Sequence, residues 1–247
     1  MYNESPGVDV TLRAVLDSLT ANFSDFEIIV ADDASTDDSA EKVARWATRD
    51  DRIRLVRLER NERFGGALRA GLAAARKEYV FYTDFDLQVG LECLPRMLGE
   101  LATADVLTGY AKDHVKHANW RSTVISWVYN SLVRALFGLR LRDINFGFKA
   151  MRRAVYEQMT LQSRSPFVDA EMFIQAQRLG YTIKEEPVPF SMRQVGTSRI
   201  RRLDVIAWSV FDLISFWLRP ARRHRKVTAP VLAGNPRPYE VGGSQRG

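Results

Sequence analysis

The stretch Glu78-Tyr-Val-Phe-Tyr-Thr-Asp-Phe-Asp-Leu-Gln88 joins an apolar, aromatic run to two carboxylates spaced i, i+2 and then a glutamine. Such a run is typical of a buried β-strand. Side chains at i and i+2 of a strand share one face, so Asp84 and Asp86 are expected to converge at the strand's carboxyl end. Hard oxygen ligands suit Mg²⁺ or Mn²⁺ that bridges a diphosphate. A solvated turn would give the same pattern, so the metal site depends on further features.

The composition of the chain predicts one α/β domain in a reducing compartment. Its 247 residues, 46% of them hydrophobic, are enough for a single large core. The lone Cys93 excludes an intrachain disulfide framework, and the amino terminus carries no charged and apolar leader. No apolar stretch reaches the roughly 20 residues that span a bilayer. We therefore expect a cytoplasmic protein that does not cross a membrane by itself.

Basic residues bracket one apolar, aromatic segment near the end of the chain. The net charge is +6, and arginines cluster on both sides of Leu203–Leu218. This pattern predicts an amphipathic helix over 201–220 at the surface of an anionic membrane, and the alternative is a helix that packs on the domain. A nucleic-acid partner is not expected, since no known binding motif accompanies the charge. Residues 221–247 are basic and then rich in Gly and Pro, and we expect them to be disordered.

Periodicity along the chain predicts strands that alternate with helices. The predicted strands cover 27–31, 53–57, 79–83, 105–108 and 182–188, and the predicted helices cover 8–19, 39–48, 66–76, 91–101, 120–137 and 169–179. Strands joined through helices imply an α/β fold with a mostly parallel sheet and helices on both faces. Ligands of such sheets bind beyond the carboxyl ends of the strands, where Asp32, Asp33, Asp84 and Asp86 lie.

Beyond the Asp84–Asp86 pair, the chain carries a series of short polar and glycine-rich motifs. They are Tyr2-Asn-Glu4, Asp32-Asp-Ala-Ser-Thr-Asp37, Gly65-Gly-Ala-Leu-Arg-Ala-Gly71, Gly147-Phe-Lys149, Glu171 and Arg193-Gln-Val-Gly-Thr-Ser-Arg199. In order and spacing they resemble the family 2 glycosyltransferases of GT-A fold, and most of all the dolichyl- or polyprenyl-phosphate sugar transferases such as dolichol-phosphate mannose synthase. The resemblance implies a Rossmann-like, nucleotide-sugar-binding domain over residues 1–200.

The resemblance assigns these motifs to a nucleotide-diphosphate sugar and a lipid phosphate. Asp32 and Asp33 would accept hydrogen bonds from the base and ribose, beside Tyr2, Asn3 and Glu4. Gly66 and Arg69 would contact the donor, and Mg²⁺ or Mn²⁺ would be bound by Asp84, Asp86 and Gln88. The residues that would bind phosphate are Arg121, Lys149, Arg193, Ser198, and Arg201 or Arg202. Helix capping by Asp32 and Asp33 and tight helix packing at the glycines are the alternatives.

Catalytic roles fall, through the resemblance, on Asp86, Glu171 and Arg193. Glu171 occupies the position of an acceptor-side carboxylate that could serve as a base. A lipid phosphate is already anionic at neutral pH, so we expect Glu171 or Asp169 to act first as an orienting group. The family's reaction is a direct in-line displacement at the sugar C1, with inversion.

Three features differ from the family pattern. Gly109-Tyr110-Ala111 stands where relatives usually have Gly-Ser-Arg, which leaves Lys112 as the nearby cation. Lys149 replaces the arginine of Gly-Phe-Arg and loses its bidentate fork. The apolar strand that precedes Tyr-Asn-Glu in relatives is missing, so we expect an unstable sheet and a true start upstream of Met1.

The sequence thus predicts an inverting hexosyltransferase that moves a sugar from GDP-mannose or a UDP-sugar to polyprenyl or dolichyl phosphate. Its expected place is the cytoplasmic membrane face, as a peripheral protein, with a separate membrane-spanning protein as a candidate partner. One alternative is a family 2 transferase that acts on a glycan or glycolipid hydroxyl, for which Glu171 or Asp169 would be a true base. The other is a non-catalytic relative that binds nucleotide sugars.

Overall fold

A computed structural model describes residues 1–87, 89–112, 120–189 and 203–218 of the chain. Six strands are formed: β1 (Ile28–Asp32), β2 (Ile53–Arg57), β3 (Tyr79–Thr83), β4 (Val106–Ala111), β5 (Phe148–Arg152) and β6 (Ile183–Val188). The helices are α1 (Val8–Asn22), α2 (Ser39–Ala47), α3 (Arg63–Ala74), α4 (Leu94–Glu100), α5 (Trp120–Phe137), α6 (Arg153–Tyr156), α7 (Val168–Leu179) and α8 (Leu203–Leu218), with short 3₁₀ turns at Ser5–Gly7 and Leu91–Cys93. Each predicted helix and strand is present, with bounds shifted by a few residues.

The strands form two separate sheets. β1 and β2 pair in parallel, and the other four follow the order β3-β5-β4-β6. β4 and β6 are parallel, whereas β5 runs antiparallel to both β3 and β4. The sheet is therefore mixed rather than mostly parallel. Periodicity did not predict β5, because its five residues are all buried and include the charged Lys149 and Arg152.

The first residue of the chain hydrogen-bonds to the carboxyl end of β1 and to the residue that follows it. Residues 1–27 form a 3₁₀ turn and α1 before β1. The Met1 amine donates to the Ala31 carbonyl at 2.8 Å, and the Asp33 N–H donates to the Met1 carbonyl at 2.9 Å. These bonds hold Tyr2, Asn3 and Glu4 beside the carboxyl end of β1. The predicted start upstream of Met1 stays a prediction.

Helices cover both faces of the larger sheet. Alternate residues of its strands enter two apolar clusters: Val106 and Met151 pack with α7, whereas Leu107 and Ala150 pack with α4. This arrangement follows from the alternation of side chains in a strand. In the part of the chain that is described, no helix is long and apolar enough to cross a bilayer.

The helix α7 is deeply buried in the fold. Ten of its twelve residues are buried, among them the acidic Asp169 and Glu171. It ends at Gly180, whose φ of 88° is the left-handed conformation that closes many helices. Buried carboxylates need partners, because an unpaired charge in the interior is costly. The partners of these two acids therefore decide what α7 contributes to the site.

Candidate active site

Asp32, the last residue of β1, is tied to its own loop. Its side chain has no solvent exposure, and its carboxylate accepts bonds from the Ser35 hydroxyl at 2.5 Å and the Ser35 N–H at 3.2 Å. The Arg57 Nε lies 3.5 Å from Asp32 Oδ2. These contacts close the turn between β1 and α2. Asp32 thus shapes the loop that carries the neighbouring polar residues.

Asp33 joins the β1 loop to the start of α3. Its Oδ1 accepts a 2.6 Å bond from the N–H of Glu62. Burial raises the pKa of Asp33 to about 6, although the backbone N–H of Glu62 opposes this shift. The carboxyl group is therefore held in a desolvated position where a hydrogen-bonding ligand would replace lost water.

The segment Tyr2-Asn3-Glu4 docks on the same loop. Asn3 has a positive φ of 52°, and its side-chain oxygen accepts a 2.8 Å bond from the Thr36 N–H. The Glu4 N–H donates to the Ser39 hydroxyl at 2.9 Å. The structure thus brings together the residues predicted to surround the nucleotide, from Tyr2 to Glu4 and at Asp32 and Asp33.

Asp84 lies in a tight cradle directly after β3. Its N–H donates to the Gly147 carbonyl at 3.3 Å, and its own carbonyl accepts the Leu87 N–H at 3.2 Å. Leu87 has a φ of 45°, so the chain turns sharply after Asp86. A Cβ on Gly147 would lie 2.2 Å from Asp84 Oδ2, so a side chain at this position would displace the carboxylate.

Asp84 lies near both acidic and basic groups. Burial, together with the nearby Asp86 and Asp169, raises the pKa of Asp84 to about 6, although Lys149 and the Met1 ammonium oppose this shift. The Met1 amine is close enough to interact with Asp33 as well as Asp84, so the ends of β1 and β3 face the same space. A cation bound there would neutralise several carboxylates at once.

The donor set fits a divalent cation that shares its coordination with a ligand. Within the described ranges, no group of three Asp, Glu, His or Cys side chains converges as a complete protein-made metal site. Mg²⁺ and Mn²⁺ sites are commonly built from one or two carboxylates together with phosphate oxygens and water. Asp84 and Asp86 supply such a pair, and Gly147 leaves room beside it. Gln88, the third predicted ligand, lies outside the described residues.

Lys149 was predicted to bind phosphate, and its position corrects that prediction. The side chain has no solvent exposure, and its Nζ lies 3.1 Å from Asp169 Oδ2. A buried ammonium that already has an anionic partner cannot contact a phosphate in the open site. Burial raises the pKa of Asp169, and Lys149 and the Tyr82 hydroxyl oppose that shift.

Glu171 was predicted to lie on the acceptor side, and the structure places it in a different role. It is 1% exposed. The Gln162 N–H donates to both oxygens of its carboxylate, at 2.9 and 3.0 Å, and the Ser163 N–H donates to it at 2.8 Å. The Gln175 amide donates to it at 3.2 Å. Glu171 therefore fixes the loop before α7 and is not placed to take a proton from an acceptor.

Gly65 and Arg69 contact that same loop, whereas Gly66 packs against Glu62. A Cβ on Gly65 would lie 2.1 Å from the Ser163 carbonyl oxygen, and the Arg69 guanidinium donates to that oxygen. A Cβ on Gly66 would lie 2.2 Å from the Glu62 Cβ. Close packing of α3 accounts for these contacts, which is the alternative that the sequence left open.

The remaining predicted phosphate ligands fall where the structure gives no side-chain description. Arg193, Ser198, Arg201 and Arg202 lie outside the described residues, and Arg121 belongs to α5 without a described side chain. Sequence reasoning missed Tyr82, which bonds to Asp169, and it named Gly147 only as part of a motif. The alternation of polar and apolar residues in β3 gives no sign that Tyr82 meets a carboxylate 87 residues away.

Comparison with known proteins identifies relatives along most of the chain. AglD of Haloferax volcanii is 31% identical over 94% of this chain and 38% of its own length. The undecaprenyl-phosphate mannosyltransferase of Micrococcus luteus is 28% identical over 81% of this chain and 84% of its own. The dodecaprenyl-phosphate galacturonate synthase of Rhizobium johnstonii is 26% identical over 89% and 67%. The chain thus spans well under half of AglD.

A solved structure and a family match fix the fold and the family. Glucosyl-3-phosphoglycerate synthase from Mycobacterium tuberculosis, in complex with Mn²⁺, UDP and glucosyl-3-phosphoglycerate, superposes with a TM-score of 0.65 and 20% identity over 89% of this chain and 78% of that one. This likeness confirms the expected GT-A-like fold. Residues 1–160 match the glycosyl transferase family 2 domain. With its acidic strand ends placed as the motifs predicted, the chain belongs to glycosyl transferase family 2.

Proposed function

We propose that this protein transfers a sugar from a nucleoside-diphosphate sugar to a polyprenyl phosphate, with a divalent cation held by Asp84 and Asp86. The observation that carries the proposal is the desolvated Asp84 carboxylate in the Gly147 cradle, which has Asp86 nearby and interacts, like Asp32 and Asp33, with the Met1 amine. Relatives named for transfer to undecaprenyl or dodecaprenyl phosphate support the acceptor class. The Mn²⁺ and UDP held by the solved mycobacterial neighbour are in keeping with the cation and the donor class.

The donor would lie across the two strand ends. The β1 loop, with Asn3 and Asp33, offers carbonyl and carboxylate acceptors for the N–H groups of a base and the hydroxyls of a ribose. A cation on Asp84 and Asp86 would stabilise the negative charge that develops on the departing nucleoside diphosphate. Either GDP-mannose or a UDP-sugar satisfies this chemistry.

The contacts of the acids on α7 support a phosphate acceptor. Asp169 is paired with Lys149, and Glu171 holds three hydrogen bonds from the loop before α7, so neither is placed as a general base. A hydroxyl acceptor needs a base, whereas a phosphate monoester is anionic at neutral pH. A phosphate oxygen would attack the sugar C1 as the C1–O bond to the diphosphate breaks. The nucleoside diphosphate leaves with that electron pair, and the configuration at C1 inverts.

The surface of α8 supports membrane attachment. One face packs on the domain, since Leu213 and Phe216 are buried and Asp212 accepts the N–H groups of Arg164 and Ser165 at 3.1 and 3.0 Å. Asp212 is therefore a structural contact rather than a headgroup contact. Other apolar side chains of α8 are exposed, and they are Trp208, Val210, Phe211, Ile214, Trp217 and Leu218.

A second set of exposed apolar side chains lies on α5. Its members are Val124, Ile125, Trp127, Val128 and Leu132, and Trp127 is 67% exposed. The rings of Phe137 in α5 and Phe216 in α8 lie 5.8 Å apart, so the two helices are neighbours. Exposed apolar patches of this kind are typical of membrane or protein contacts. An anionic, cytoplasmic membrane face is the partner that we propose, because arginines flank α8 in the sequence.

A transfer assay tests the proposal. Purified protein is mixed with vesicles that contain polyprenyl phosphate, with labelled GDP-mannose or a UDP-sugar, and with Mn²⁺. We expect label to enter the organic phase with one donor, and Asp86→Asn to abolish this transfer. Label that reaches only water-soluble glycans would support the hydroxyl-acceptor alternative. Binding of nucleotide sugar without any turnover would support the non-catalytic one.

A further inference from the structure

A buried ion pair lies directly behind Asp84. Besides its contact with Asp169, the Lys149 ammonium donates a 2.6 Å bond to the Phe146 carbonyl. The Tyr82 hydroxyl donates to the other oxygen of Asp169. The rings of Tyr82 and Phe173 lie 5.2 and 5.6 Å from Nζ, within cation–π range. A carboxylate, a carbonyl and two aromatic faces therefore surround one ammonium.

The backbone connects this pair to Asp84. Tyr82 and Lys149 face each other in the antiparallel pairing of β3 and β5. The carbonyl of Phe146 accepts from Lys149, and the next carbonyl, that of Gly147, accepts from the Asp84 N–H. The Gly147 Cα in turn rests against the Asp84 carboxylate. Lys149 therefore holds the segment that forms one wall of the Asp84 cradle.

Fold stability alone does not explain a buried pair at this position. Replacing such pairs with apolar residues is often neutral or stabilising, because the desolvation of two charges offsets their attraction. The same strand offers a comparison in Arg152, which is also buried and bonds to Glu78 and Tyr79. Arg152 lies opposite Tyr79, at the end of β3 that is remote from Asp84. Of these two buried cations, Lys149 is the one that adjoins the Gly147 wall.

We propose that Lys149 is a positioning residue for the cation site. Together with Asp169 and Tyr82, it fixes the Phe146–Gly147 segment so that Asp84 meets the cation in one orientation. Lys149 contacts neither substrate nor cation in this account. The inference rests on the proposed metal role of Asp84, and it adds the group that holds the ligand in place. Hydrogen-bonded groups behind metal ligands commonly change metal affinity by about 10- to 100-fold.

Titration of Mn²⁺ in the presence of UDP, followed by the electron paramagnetic resonance signal of free Mn²⁺, tests this role. The variant Lys149→Met with Asp169→Asn removes both charges and keeps an acceptor for Tyr82. We expect it to melt cooperatively and to bind Mn²⁺ at least about tenfold more weakly than the wild type. Lys149→Arg keeps the cation and should restore most of the affinity. Arg152→Met is the matched control, and it should lower the melting temperature while Mn²⁺ affinity is unchanged.

Two results would overturn the inference in distinguishable ways. Tight Mn²⁺ binding by the wild type and by the double variant alike would reduce Lys149 to a structural residue and leave the proposed function intact. A wild-type protein that binds no Mn²⁺ with UDP would remove the metal role of Asp84 and the positioning role with it. Equal losses of affinity in Arg152→Met and the double variant would assign the effect to general destabilisation, which also contradicts the inference.

Discussion

Two strand ends of this protein carry paired acids, but they use them differently. At the end of β1, Asp32 is fully buried and bonded to Ser35, with Arg57 beside it. At the end of β3, Asp84 faces Asp86 and Asp169, and burial with these like charges raises its pKa to about 6. The first acid is satisfied by donors of its own loop, whereas the second keeps a raised pKa although Lys149 and the Met1 ammonium oppose the shift.

Asp32 is therefore a structural carboxylate that stabilises its loop, whereas Asp84 is a carboxylate that a bound cation would stabilise. A buried acid with matched donors contributes to folding, because its removal leaves those donors without a partner. A desolvated acid beside other acids costs stability until a cation arrives. Clustered like charges with shifted pKa values are common at functional sites. The β3 end is therefore the more informative of the two for function.

Replacing Asp86 tests the functional side of the contrast and should give the largest effect. Asp86→Asn keeps the shape of the turn but removes one negative charge from the proposed cation site. A metal ion supplies several kcal/mol of transition-state stabilisation, so we expect about a 10³-fold loss of transfer activity. Turnover and thermal melting would be measured together. A variant that is both stable and fully active would end the proposed role of this residue.

Glu171 in α7 resembles Asp32, because N–H groups of the protein already hydrogen-bond to its carboxylate. Glu171→Gln should disturb the Gln162 and Ser163 N–H contacts, costing about 1–3 kcal/mol of folding stability. Its turnover should stay within about tenfold of the wild type, since loss of a general base costs roughly 10² to 10⁴. Arg193→Lys is the matched variant, and the loss of its planar fork should impair transfer severely. The reverse ranking in a steady-state assay would favour a hydroxyl acceptor.

Replacing the acid with asparagine should change the free energy of unfolding in opposite directions at the two strand ends. Asp32→Asn should lower the free energy of unfolding by about 2 kcal/mol, because the Ser35 contacts lose their charged acceptor. Asp84→Asn should raise it at pH 7 in metal-free buffer, by up to about 3 kcal/mol. Urea unfolding of both variants at pH 7 measures these changes. Destabilisation of similar size in both would erase the distinction between the two ends.

The pH dependence of stability sharpens the same comparison. The pKa of Asp84 is raised from 3.8 to about 6, so the folded state binds a proton more tightly than the unfolded one. Stability is therefore higher below pH 3.8 and falls as the pH rises towards 6. Asp33, whose pKa is also about 6, contributes in the same direction. Asp84→Asn should make the loss of stability between about pH 4 and 6 smaller, and an unchanged slope would contradict the shift.

Much of this site could be predicted from the sequence, because its acids follow apolar strands at fixed spacing. The pairs Asp32–Asp33 and Asp84–Asp86 both lie where those strands end. Lys149 and Glu171 were assigned to the ligand because their partners are not apparent in a linear sequence. Lys149 meets Asp169, and Glu171 meets the backbone of Gln162 and Ser163, which only the folded chain brings together.

The same limitation applies to strand β5. Its sequence, Phe148-Lys-Ala-Met-Arg152, has charges at two of five positions and no apolar alternation. Both cations are buried because Asp169 and Glu78 neutralise them. Long-range ion pairs thus replaced the hydrophobic pattern on which strand prediction depends.

Membrane binding should give the smallest effect and tests the exposed apolar side chains of α8 rather than an acid at either strand end. Phe211→Asp should weaken binding to anionic vesicles about tenfold, since it removes one exposed aromatic side chain from the α8 face. Val10→Asp, at an exposed apolar position of α1, is the control and should bind as the wild type does. Trp fluorescence should shift blue when the protein binds vesicles, and added salt should weaken this binding. Equal binding to neutral and anionic vesicles would refute the proposed electrostatic attraction between the protein and the membrane.

The central claim is that the acids after β3 hold a divalent cation for glycosyl transfer. Its most direct test is the turnover of the wild-type protein with its donor and polyprenyl phosphate, first in excess chelator and then after Mn²⁺ or Mg²⁺ is restored. We predict that transfer stops in chelator and returns with the metal, and that Asp86→Asn does not recover. Undiminished turnover in excess chelator would contradict the account.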